Sequence, residues 1–92
     1  MKFMYTWKAQ PGQHKPAAER FLKSGGPMPA GLKMIGRWHA PGSVCGWLLV
    51  ESDDLKGVYE HAAEWANYLD FQVTPVVEDT EAAKGMAKVY GK

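Results

Sequence analysis

The sequence predicts an α+β fold, a βαββαβ sandwich of four antiparallel strands followed by one more helix. Three observations lead there. Segments that alternate every second residue are interleaved with segments of helical period. Gly and Pro fall between these segments more often than inside them. A hairpin in the middle of the chain, residues 32 to 51, has one helical segment before it and two after it.

Residues 2 to 8 alternate and are rich in aromatics, which suits a strand, and Pro11-Gly12 supplies the turn after it. From His14 to Lys23, Ala17, Ala18, Phe21 and Leu22 recur at helical spacing, with Pro16 in the first turn and Gly25-Gly26 as the stop. Residues 25 to 31 carry Pro27 and Pro29 and form a loop, read as a lid or a spacer. Residues 32 to 39 and 44 to 51 are then the two strands of the hairpin, joined by Ala40-Pro41-Gly42-Ser43.

Ser52-Asp53-Asp54 offers an N-cap for a helix over residues 54 to 68, whose stripe is expected to be Leu55, Val58, Tyr59, Ala62, Ala66 and Leu69. Residues 71 to 77 read as a fourth strand, with Pro75 favouring a sheet edge because it lacks an N–H for the ladder. Asp79-Thr80-Glu81 caps a final helix through about Lys88, weakened by Gly85. The order is ferredoxin-like, and residues 1 to 92 make a single domain.

The third strand adds a constraint. Val44, Leu48 and Val50 fall on one face and Cys45, Trp47 and Leu49 on the other, so both faces call for cover. Two helices cover one face. The other then meets the terminal helix or a second subunit, and the expectation is a homodimer packed sheet to sheet as a dimeric α+β barrel.

Composition narrows the function classes. Apolar residues make up 46% of the chain and charged residues 23%, which is globular rather than disordered. Eleven Lys and Arg against ten Asp and Glu leave a formal charge of +1, and the cations are scattered. No basic run follows a phosphate backbone or an anionic bilayer, so neither nucleic acid nor membrane is an expected partner. No segment approaches the ~20 apolar residues of a membrane span, and the N-terminus lacks the apolar core of a signal peptide. A single cysteine, Cys45 in an apolar run, cannot form an intrachain disulfide and is read as a buried, inert thiol; the expected compartment is the cytoplasm. His14, His39 and His61 lie on different elements without metal-ligand spacing, so neither a metal nor another cofactor is expected.

The candidate site comes from Gly36-Arg37-Trp38-His39. Alternation puts Arg37 and His39 on one face of the strand end and Trp38 on the other. With residues 40 to 43 as the loop, His39 faces Val44 and Arg37 faces Gly46, sharing their face with Lys33, Ile35, Leu48 and Val50. The glycine opposite Arg37 would leave open space beside the guanidinium. Arg37 suits an anion, and the imidazole of His39 suits proton transfer. The alternative is that Arg37 pairs with a surface carboxylate and His39 caps the strand. On the following helix His61, Trp65 and Tyr68 form an aromatic flank that suits a subunit contact or, alternatively, a ligand cleft between helix and sheet.

Met1-Lys2-Phe3-Met4, Glu19 to Pro27, Gly36-Arg37-Trp38-His39, Leu49-Val50-Glu51 and Ala63-Glu64-Trp65 together resemble small bacterial proteins catalogued as domain of unknown function 3303. The resemblance spans nearly the whole chain and implies a ferredoxin-like or dimeric α+β barrel fold. It implies no reaction and no site residue. Three functional readings follow. The first is a small dimeric module that binds a small acidic or aromatic ligand near Arg37 and His39, with Trp7 and Trp65 as apolar walls. The second is a cofactor-free barrel enzyme with His39 as general base and Arg37 stabilising an oxyanion. The third is a structural or partner-binding dimer without a ligand.

Overall fold

The computed structural model describes residues 1–91 and has the expected element order. The strands are β1 (Lys2–Ala9), β2 (Lys33–His39), β3 (Cys45–Glu51) and β4 (Leu69–Val76), and the helices are α1 (His14–Ser24), α2 (Leu55–Glu64) and α3 (Asp79–Tyr90). The strands form one antiparallel sheet in the order β2-β3-β1-β4, consistent with a ferredoxin-like fold. Pro75 lies on β4, an edge strand, where a missing N–H costs no ladder bond.

Register sorts the side chains into rows. On the face toward α1 and α2, Met34, Val50, Phe3 and Pro75 form one row; Arg37, Leu48, Tyr5 and Val73 the next; His39, Gly46, Trp7 and Phe71 the third. Phe3, Tyr5, Leu48 and Val50 are buried here with Leu32 and Val58 and make the core. The opposite face carries Trp38, Trp47, Thr6 and Gln72 in one row and Gly36, Leu49, Met4 and Thr74 in another. Among the described residues no element covers it. Trp38 is 53% exposed and Trp47 43%.

The helix ends are set by hydrogen bonds. Gly25, at φ 77°, closes α1 in the left-handed conformation that glycine adopts without steric cost, and its N–H donates to the Phe21 carbonyl oxygen at 2.7 Å. Asp54 caps α2 by accepting from the Gly57 N–H at 2.9 Å. Arg20 closes the far end of α2, donating to the Glu64 carbonyl oxygen at 2.7 Å with its guanidinium 4.4 Å from the Trp65 ring centroid.

Five expectations are corrected. Helix α2 ends at Glu64 rather than 68, because residues 65 to 68 turn to deliver the chain to β4. Its inward stripe is Val58, His61 and Ala62, continued by Trp65 beyond its end, while Leu55 (66% exposed) and Tyr59 (74%) face out. In the hairpin His39 pairs with Gly46 and Arg37 with Leu48, two residues from the expected register, and a bulge at Ile35 turns Lys33 to the open face. Cys45 lies on that open face and is only half-buried. Helix α3 has no buried residue and does not cover the sheet. The chain accordingly extends over 53 × 27 × 18 Å, and its 15.6 Å radius of gyration exceeds the roughly 12 Å of a compact chain this long.

Candidate functional site

A cavity of about 370 Å³ lies between the third row of the sheet and the two helices. The sheet contributes Trp7, Leu48, Phe71, Arg37 and His39; α1 contributes His14, Ala17, Ala18, Phe21 and Leu22; α2 and the turn after it contribute His61 and Trp65. All four residues expected from sequence at a ligand site, Arg37, His39, Trp7 and Trp65, therefore line one space. No Asp or Glu is among the lining residues.

Trp7 takes its position from an absence. A Cβ on Gly46, its cross-strand neighbour, would run into the Trp7 ring, so the indole lies flat over the glycine backbone. The glycine that was expected to open space beside Arg37 instead faces His39 and is filled by this ring. His39 stands at the exposed rim, edge-on to Trp7 at 5.3 Å and to Phe21 at 5.5 Å between ring centroids.

Arg37 is half-buried and already partnered. Its Nη1 donates to the Gly26 carbonyl oxygen at 2.8 Å and its Nη2 to the Gly25 carbonyl oxygen at 3.1 Å, where α1 ends. The guanidinium carbon lies 4.8 Å from the Phe21 ring centroid. The cation thus answers the negative end of the α1 dipole and ties the 25–31 loop to β2, in place of the surface carboxylate first considered. Burial lowers its pKa from the ordinary guanidinium value, and a guanidinium keeps its charge through such a shift. Two of its N–H groups are spent on the loop, and the rest of the fork remains available to the cavity.

His61 is the buried polar group of the site, 4% exposed. Its Nδ1 lies 3.3 Å from the Tyr5 hydroxyl, which donates to the Val58 carbonyl oxygen at 3.4 Å. Burial lowers the His61 pKa below its ordinary value, the Arg37 charge lowers it further, and the Glu64 charge partly opposes them. Burial thus favours the neutral ring. Burial also pushes the Tyr5 pKa up to about 12. In sequence His61 and Trp65 are visible as one helical flank, but Tyr5 reads as one more aromatic of a strand. Only the β1–α2 packing identifies it as the histidine's partner.

Tyr68 belongs to the Arg20–Trp65 stack rather than to the cavity wall, its ring centroid 6.2 Å from that of Trp65. His14 holds the hairpin loop, with Nε2 2.9 Å from the Gly42 carbonyl oxygen. Among the described residues no group of three or more His, Cys, Asp or Glu is arranged to hold a metal, and no helix is long and apolar enough to cross a membrane. No curated protein matches the chain. Residues 1–90 do match a family described as Domain of unknown function (DUF3303), and the chain belongs to that family.

Proposed function

We propose that this protein binds a small, flat, weakly acidic aromatic molecule between its sheet and helices. The observation that carries the reading is the cavity itself: about 370 Å³ walled by aromatic and aliphatic side chains, with Arg37, His39 and His61 in that wall and no carboxylate to oppose an anionic or electron-rich ligand. The volume falls in the range of small-molecule sites, roughly 300–1,000 Å³. Trp7, Phe21 and Trp65 offer ring surfaces to a planar ligand.

The same proposal includes a second copy of the chain on the open sheet face, working in a reducing cytoplasm that suits the lone Cys45. Support comes from two apolar surfaces left without cover. One is the sheet face with Trp38, Trp47, Met4 and Leu49; the other is the stripe of α3 formed by Met86, Val89 and Tyr90. Both lie on each chain, so a two-fold pairing can satisfy them together.

Native mass spectrometry of protein purified gently from its own host tests both parts at once. The expected spectrum is a dimer carrying a reproducible small extra mass, lost in a folded Arg37→Ala variant. A monomer would remove the second copy from the proposal, and a dimer without added mass would leave the structural reading in place of the binding one. Turnover of the retained compound would separate the enzymatic alternative from simple binding.

A further inference from the structure

His61 identifies which part of a ligand the cavity recognises, an inference that rests on the binding reading above. The Tyr5 hydroxyl has one proton and two neighbours, the Val58 carbonyl oxygen at 3.4 Å, which can only accept, and His61 Nδ1 at 3.3 Å, which accepts or donates according to its tautomer. Both contacts are hydrogen bonds in one arrangement, in which the hydroxyl donates to Val58 and Nδ1–H donates to the hydroxyl. A neutral imidazole carries one N–H, so Nε2 is left with a lone pair. Among the described residues Nε2 has no hydrogen-bond partner, yet no fully enclosed side-chain nitrogen or oxygen goes unpartnered. With the residue buried and lining the cavity, Nε2 opens into it.

We infer that His61 Nε2 is the cavity's recognition acceptor, and that the site selects planar aromatic ligands carrying a phenolic hydroxyl that donates to it. A hydrocarbon of the same shape leaves this nitrogen dry and unpaired, which is unfavourable in an apolar wall. A carboxylate presents lone pairs to a lone pair and requires a protonated ring, opposed by burial and by Arg37 on β2. A phenol donating to Nε2 gains partial negative charge on its oxygen, which the Arg37 field favours. Glu64 on α2 favours the protonated ring, Tyr5 on β1 is neutral, and α1 contributes His14 at the hairpin end of the cavity.

The test titrates 2-naphthol, naphthalene and 2-naphthoate into protein carrying ¹⁵N-labelled histidine, followed by NMR at neutral pH. The expected result is 2-naphthol binding about five- to tenfold tighter than naphthalene, with 2-naphthoate no better than naphthalene. The His61 Nε2 resonance should move with 2-naphthol and stay with naphthalene. In His61→Phe the preference should vanish while naphthalene still binds; should that variant not fold, the Nε2 resonance in the unaltered protein decides. Equal binding of naphthol and naphthalene, or an unmoved Nε2 resonance, overturns the role of His61 and leaves the cavity as a binding site. Tighter binding of 2-naphthoate overturns it in favour of Arg37 as the recognition group. Failure of all three to bind overturns the binding reading and this inference together.

Discussion

The two faces of the sheet use the same device and reach different ends. On the helix-covered face Gly46 leaves room for Trp7, and on the open face Gly36 leaves room for Trp38, whose ring lies where a Cβ would project. Trp7 is then enclosed by α1 and α2 and becomes a wall of the cavity, whereas Trp38 stays more than half exposed. A glycine under an indole therefore makes a flat aromatic surface, and the layer laid over it decides whether that surface is core, pocket or contact. His61 and Tyr5 are enclosed on the covered face, and the open face carries charges at its margins, among them Lys2, Lys8, Lys33, Glu51 and Asp70, with Lys2 paired with Glu78 at the root of α3.

The strongest way to break the comparison is to add one methyl group on each side. Gly46→Ala meets both the Trp7 ring and the Trp38 carbonyl oxygen, a backbone atom that cannot swing away. It is expected to cost about 2 kcal/mol or more and to lower Tm by roughly 10 °C. Gly36→Ala meets only the half-free Trp38 ring and is expected to change the stability of the single chain by less than about 0.5 kcal/mol. Thermal melts of the two variants check this; equal losses would mean that the open face is as tightly covered as the closed one.

A second effect should come from acid. The folded His61 pKa lies below its unfolded value of about 6.5, so on acidification the unfolded chain takes up the proton first. The stability is fully present above that unfolded value and is lost as pH falls through the lowered folded one. Urea titrations from pH 7.5 to 5 should show this decline, and His61→Phe should flatten it.

A further effect lies in alkali. Tyr5, at about 12 when folded against about 10 when unfolded, contributes stability that is intact below pH 10 and lost as pH rises toward 12. In Tyr5→Phe that part of the alkaline decline should disappear, as read by circular dichroism.

Much of this arrangement was legible in the sequence because its rules are local. Alternation along a strand put Arg37 and His39 on one face and Trp38 on the other, and parity survives the two-residue change in hairpin register. The element order, the preference of Pro75 for an edge and a cap within Ser52-Asp53-Asp54 likewise depend on neighbours a few residues away. The bulge at Ile35 has one local sign, Gly36 beside it inside the strand, but alternation alone does not place it.

What only the tertiary structure decided is which long-range partner each side chain meets. Leu55 is as apolar as Val58, yet Leu55 and Tyr59 face out while Val58 packs into the core with Leu32, Leu48 and Val50 and His61 meets the Tyr5 hydroxyl. Arg37 was legible as a cation on the correct face, but its carbonyl partners in the 25–31 loop arise from folding that loop against β2. Periodicity reports the direction of a side chain relative to its own backbone. Burial and hydrogen bonding depend on what stands opposite, which for His61 is Tyr5, 56 residues away in the chain.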